Sequence, residues 1–212
     1  MSYADDLPPM NVKLIGSFIK HLEVLMQPGE EFYAERGAVV YAEDGIEFNT
    51  ELTGTSLGKI IGSKLSGESL FLVKFRNVSR TACKLGLGSH AGILPIKLEG
   101  DETVCRSGAF MASSRRVDID TKFSIAGFVG GMGALLQRIS GTATVFLQCY
   151  GDPVVIDLVA GQTIQVDENH FLAVVGIPQS RMTPRWSAKN FFGGEGLSML
   201  ALTGPGRVYL NP

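Results

Sequence analysis

The sequence predicts an all-β chain, and three observations predict it. First, short strings recur: Gly67-Glu68-Ser69-Leu70-Phe71, Gly131-Met132-Gly133-Ala134-Leu135 and Gly194-Glu195-Gly196-Leu197-Ser198 return about every 64 residues. Second, glycine trades only with asparagine in two columns of this repeat. One column is Gly37, Gly108 and Asn169; the other is Asn77, Gly141 and Gly204. Glycine is the default residue at positive φ and asparagine its usual substitute, so both columns are expected to be hairpin turns with a left-handed position. Third, apolar residues between the turns alternate with period two, and no stretch sustains a helical period.

The elements follow in order. Residues 1–10 form an N-terminal tail with Asp5, Asp6 and no early basic residue, unlike a secretory signal or a transit peptide. The first repeat, 11–81, places Phe32 and Ala34 before the turn at Gly37 and Phe75 before the turn at Asn77. The second, 82–143, has Thr103 and Cys105 before Gly108 and Ile139 before Gly141. The third, 144–212, has Ile164 and Val166 before Asn169 and Leu202 before Gly204. After the second turn, three further columns read Thr81, Val145, Val208; then Ala82, Phe146, Tyr209; then Cys83, Leu147, Leu210. A unit of about 65 residues buries little core alone, and no Pro/Ser-rich linker separates the units, so one contiguous module is expected.

Composition bounds the function. The chain is 45% apolar and 19% charged with a net charge of −2, which describes a globular protein and not a generally basic nucleic-acid binder. Three cysteines cannot all pair within one chain. Cys83 falls in an apolar column, Cys105 shares one with Ala34 and Val166, and Cys149 lies two residues past Leu147. All three are expected to be buried thiols, which suits a reducing cytoplasm. The longest uncharged run, Phe123 to Leu136, is too short and glycine-rich to span a bilayer.

No catalytic, cofactor or metal constellation emerges. His21, His90 and His170 share no column, and no HxH, HxxxH or HExxH pattern occurs. The string GGEGL lacks the Lys-Ser/Thr pair that a phosphate loop needs. Glu68 and Glu195 share a column, but Met132 interrupts it. The expectation is a protein without enzymatic activity and with no cofactor.

The copies differ most over residues 43–66, 112–130 and 175–193. These segments carry Arg115 and Arg116, then Arg181, Arg185, Trp186 and Lys189, which are the candidate interaction residues. Basic side chains beside aromatics suit an anionic partner, either nucleic acid or lipid head groups. The plainer reading, variable loops with a solvated charged face, is preferred, and the pI near 5.9 disfavours RNA.

Several motifs together resemble the altered-inheritance-of-mitochondria family. They are Gly37-Ala38-Val39-Val40-Tyr41, Gly108-Ala109-Phe110-Met111-Ala112, Val166-Asp167-Glu168-Asn169-His170 and the closing Gly193-Gly194-Glu195-Gly196-Leu197 with Thr203-Gly204-Pro205-Gly206-Arg207-Val208-Tyr209-Leu210. Met132 and the Asn77-Val78-Ser79-Arg80 turn depart from the pattern. The resemblance implies three tandem short double-stranded β-helix (β-roll) repeats, a fold similar to the tryptophan RNA-binding attenuation protein. It further implies a homotrimer forming a pseudo-ninefold ring, acting as a scaffold or binding platform. An RNA-binding ring and a peripheral membrane-organising protein are the alternatives, the latter without a transmembrane segment.

Overall fold

Alternating burial is visible in the second strand: in His21–Met26, Leu22, Val24 and Met26 are buried and the residues between them half-exposed. A computed structural model describes residues 11–17, 19–52, 71–88, 92–120, 136–186 and 198–212. These form seventeen strands: β1 (Asn11–Ile15), β2 (His21–Met26), β3 (Glu31–Glu35), β4 (Val39–Ala42), β5 (Ile46–Leu52), β6 (Phe71–Asn77), β7 (Cys83–Gly88), β8 (Gly92–Arg106), β9 (Phe110–Ser113), β10 (Asp118–Asp120), β11 (Leu136–Cys149), β12 (Val154–Leu158), β13 (Thr163–Asp167), β14 (Phe171–Val175), β15 (Met182–Trp186), β16 (Ser198–Thr203) and β17 (Gly206–Leu210). A 3-10 turn, Gln179–Arg181, precedes β15. The chain is all-β, as the turn spacing and period-two pattern predict. Among the described residues no helix is long and apolar enough to cross a membrane.

Among the described residues every strand pair is antiparallel, and four pairings recur three times. β2, residues 92–99 of β8, and β12 pair with β7, residues 142–149 of β11, and β17. β3, residues 102–106 of β8, and β13 pair with β6, residues 136–140 of β11, and β16. β4, β9 and β14 add to β7, β11 and β17, while β5, β10 and β15 add to β6, β11 and β16. β8 and β11 are long because each runs through two of these positions, with a bulge at Gly141 where φ is 139°.

Local chemistry explains the turns. Gly29, Gly100 and Gly161 have φ of 82°, 93° and 79°, a region that L side chains rarely occupy. Gly37 and Gly108, at 106° and 75°, behave as their column predicts. In the other column Gly141 has the expected positive φ but sits in a bulge within β11 and not in a hairpin, and the other two members are corrected. Asn77 ends β6 opposite Ile46. It serves through its fully buried carboxamide, which donates to the carbonyls of Met26 (2.9 Å) and Thr81 (2.8 Å) and accepts from the Ser79 amide (2.9 Å). Gly204 lies outside the left-handed region. An added Cβ there would sit 2.6 Å from Leu158 Cβ, so close packing is what requires glycine.

The columns after the second turn also need correction. Val39 faces Leu87 across the ladder, as Phe110 faces Leu147 and Phe171 faces Leu210. Tyr41 faces Gly86, as Ala112 faces Phe146 and Ala173 faces Tyr209. Leu85, Gly86 and Leu87 therefore occupy the places assigned to Thr81, Ala82 and Cys83. The connection after Asn77 is longer in the first copy, and the Asn77 carboxamide holds it.

Three apolar clusters fill the interior. The first gathers Leu22, Val24, Met26, Phe32, Phe75 and Leu87 with Met111, Ala112 and Phe146 from later strands. The second combines Leu94, Phe110, Val145 and Leu147 with Leu172, Ala173 and Tyr209. The third combines Val166, Phe171, Leu202 and Val208 with Val104 and Leu136. Each cluster thus borrows side chains from a neighbouring set of strands.

Cys83, Cys105 and Cys149 are free and buried, as expected. Burial pushes the thiol of Cys105 up to about 12 and that of Cys149 to about 11. Ellman's reagent is expected to leave all three thiols untouched in the native protein and to titrate three after unfolding.

Candidate assembly site

Two seams join consecutive sets of strands. At the first, β3 pairs with β9, placing Tyr33 opposite Ser113 and Ala34 opposite Ala112. At the second, β8 pairs with β14, placing Val104 opposite Val174 and Cys105 opposite Ala173. Thr103 Oγ1 reinforces the second seam by donating to the Val174 carbonyl at 2.8 Å. Each seam completes one run of six strands, β8-β11-β9-β3-β6-β5 and β12-β17-β14-β8-β11-β10.

The first seam carries a half-buried carboxyl. Gln148 Nε2 donates to Glu35 Oε1 at 2.6 Å, and burial outweighs that bond, raising the Glu35 carboxyl from 4.5 to about 7. Between these values the folded chain keeps a proton that the unfolded chain releases. Stability is therefore expected to fall as pH rises from about 4.5 to about 7. In Glu35→Gln this slope is expected to flatten, as read from urea midpoints at both ends of the window.

Half-sheets remain at the two ends of the chain. One is β1-β2-β7-β4, with β4 at its edge; the other is β13-β16-β15, with β13 at its edge. Among the described residues β4 pairs only with β7, and β13 only with β16. Exposure follows from this. Val39, Val40 and Tyr41 are 40%, 64% and 37% exposed. Their counterparts Phe110, Met111 and Ala112 on β9 are wholly buried, and those on β14 nearly so. On β13, Gln165 is exposed where Tyr33 and Val104, its counterparts at the two seams, are buried. Unpaired strand edges with apolar side chains are templates for further pairing.

Tyr41 shows how β4 is kept in strand form. Its ring lies over Gly86, and its hydroxyl donates to the Glu23 carboxylate at 2.9 Å. That bond, with one from Lys84, holds the Glu23 carboxyl below its usual range. The aromatic has changed sides of the ladder: Phe146 and Tyr209 face alanines, whereas Tyr41 faces a glycine.

The basic candidates fall on two segments. Arg115 and Arg116 are exposed between β9 and β10. Arg181 sits in the 3-10 turn and donates Nη1 to the Gly204 carbonyl at 3.2 Å; Arg185 is exposed on β15 opposite Met199. Trp186 ends β15 opposite Ser198. Lys189, residues 67–70, 131–135 and 194–197 of the three recurring Gly strings with Glu68, Met132 and Glu195, His90, and residues 123–135 of the apolar run lie outside the described residues. His170 is exposed in its turn, with Nδ1 2.8 Å from the Asn211 carbonyl. Beside the second seam an open cleft of about 390 Å³ is lined by Ile96, Lys97, Val175, Arg207 and Tyr209. The Arg207 guanidinium there is held by Asp157 at 2.6 and 3.2 Å.

The two edges are what sequence reasoning missed. Val39-Val40-Tyr41 reads as a strand, but nothing local tells a paired strand from an open one.

Comparison with known proteins agrees with the motifs. A family profile described as mitochondrial biogenesis AIM24 matches residues 12–212. The uncharacterized protein M6_Spy0233 of Streptococcus pyogenes serotype M6 is 26% identical over 161 residues, covering 72% of this chain. The chain spans 64% of that curated relative's length. The crystal structure of protein SPYM3_0169 from Streptococcus pyogenes superposes with a TM-score of 0.68 at 22% identity, covering 96% of this chain and 93% of the other, a likeness of fold.

Proposed function

The chain belongs to the mitochondrial biogenesis AIM24 family, and we propose that it is a non-enzymatic ring-forming scaffold or binding platform. In this reading the three recurring sets of strands are β-rolls of the attenuation-protein type. The observation that carries it is the pair of edges left open among the described residues, β4 at one end of the chain and β13 at the other. They differ in sequence, so a contact between them is heterologous and repeats from copy to copy until it closes. Each internal seam already steps from one set of strands to the next, and the same step between chains continues the series. Three chains with three sets each give the pseudo-ninefold ring that the family resemblance implies.

The ring then presents the connections between its strands as a repeated surface, with Arg115, Arg116, Arg181 and Arg185 among the exposed groups. Multi-angle light scattering at micromolar concentration tests assembly. The expected mass is three times the 22.8 kDa chain, and a monomer contradicts the reading. Salt-dependent capture of an RNA pool by the purified ring would assign its surface to nucleic acid instead. Flotation with anionic vesicles would assign it to a membrane.

A further inference from the structure

We infer that β13 of one copy adds antiparallel to β4 of the next, with Val166 opposite Tyr41, Gln165 opposite Ala42 and Ile164 opposite Glu43. This register rests on the ring reading above and deepens it by naming the partner surface as a second copy of this chain.

The register is transferred from the two internal seams. Two ladders define equivalent positions. Against the strand that follows in each set, Ala34, Cys105 and Val166 face Val73, Gln137 and Leu200. On the other side, Tyr41, Ala112 and Ala173 face Gly86, Phe146 and Tyr209, each beside a register irregularity in the same place. At the seams Ala34 meets Ala112 and Cys105 meets Ala173. The corresponding residues at the open ends are Val166 and Tyr41. One residue along, Tyr33 meets Ser113 and Val104 meets Val174, which leaves Gln165 for Ala42.

Two consequences favour a second copy as the occupant. Joining β13-β16-β15 to β2-β7-β4 regenerates the six-strand order that both seams already have. The same contact carries Val40 to the place where Met111 and Leu172 enter the clusters of the preceding strands. Pairing β4 with β4 about a twofold axis would leave β13 open in both copies.

A cysteine pair on the full chain tests the register. Directly opposed residues of an antiparallel ladder lie about 4.5–5.5 Å apart at Cα, within disulfide reach. Ala42→Cys with Gln165→Cys is expected to give covalent dimer and trimer on mild oxidation, reversed by reductant. Ala42→Cys with Val166→Cys, one residue out of register, puts the thiols on opposite faces and is expected to stay uncrosslinked. A trimer by native mass spectrometry in which the first pair fails to crosslink, or both pairs crosslink equally, overturns the register and leaves the ring standing. A monomer in the absence of crosslinking overturns both.

Discussion

Val40→Asp is expected to abolish assembly while leaving the chain folded. In a single chain Val40 is 64% exposed, so the substitution costs the isolated fold little. At the proposed contact the same side chain takes the position of Met111 and Leu172, which are 0% and 1% exposed at the two seams. A carboxylate buried there without a partner costs several kcal/mol, and each 1.4 kcal/mol is about tenfold in association. Every contact of the ring carries the change, so the loss compounds around it. Light scattering is expected to give the monomer mass, with the far-UV circular dichroism spectrum unchanged. An unchanged oligomer mass would remove Val40, and with it β4, from the interface.

Phe146→Ala is expected to be the most damaging single change to folding. Phe146 lies on β11 but is buried in the first cluster, where its ring sits 6.0 Å from that of Phe32 at 36°. Removing it empties space shared by two sets of strands, at about 3–5 kcal/mol for a buried phenylalanine. That is a large part of a typical stability of about 5–15 kcal/mol. A melting temperature lower by on the order of 10 °C is expected. Phe48 supplies the contrast. Its ring also lies near another phenylalanine, Phe75, at 6.3 Å, but it is 67% exposed. Phe48→Ala is expected to cost no more than about 1 kcal/mol. Equal losses from the two substitutions would mean that the clusters do not interlock as described.

Much of the fold was legible because its signals are local. The glycines at 37 and 108 share a column because a left-handed turn favours a residue without a Cβ, and both adopt it. Period-two burial in β2 follows from the pleat alone. The second turn column misled because glycine and asparagine answer more than one requirement. Gly141 supplies a backbone angle, Gly204 makes room for Leu158, and Asn77 supplies hydrogen bonds. The longer connection after Asn77 then displaced the strand columns that followed, which no pattern in the first copy alone reveals.

The candidate site was less legible. Charge drew attention to Arg115, Arg116, Arg181 and Arg185, which are exposed. The arrangement that carries the proposal depends on which strands, among the described residues, pair on one side only, a property of the sheet topology. Val39, Phe110 and Phe171 are interchangeable in a hydrophobic pattern, yet the first is 40% exposed and the others are buried.

The most direct measurement of the central claim is the native mass of the unaltered chain beside that of Val40→Asp, at micromolar concentration. The account predicts three times 22.8 kDa for the first and 22.8 kDa for the second. Monomers in both samples would contradict it.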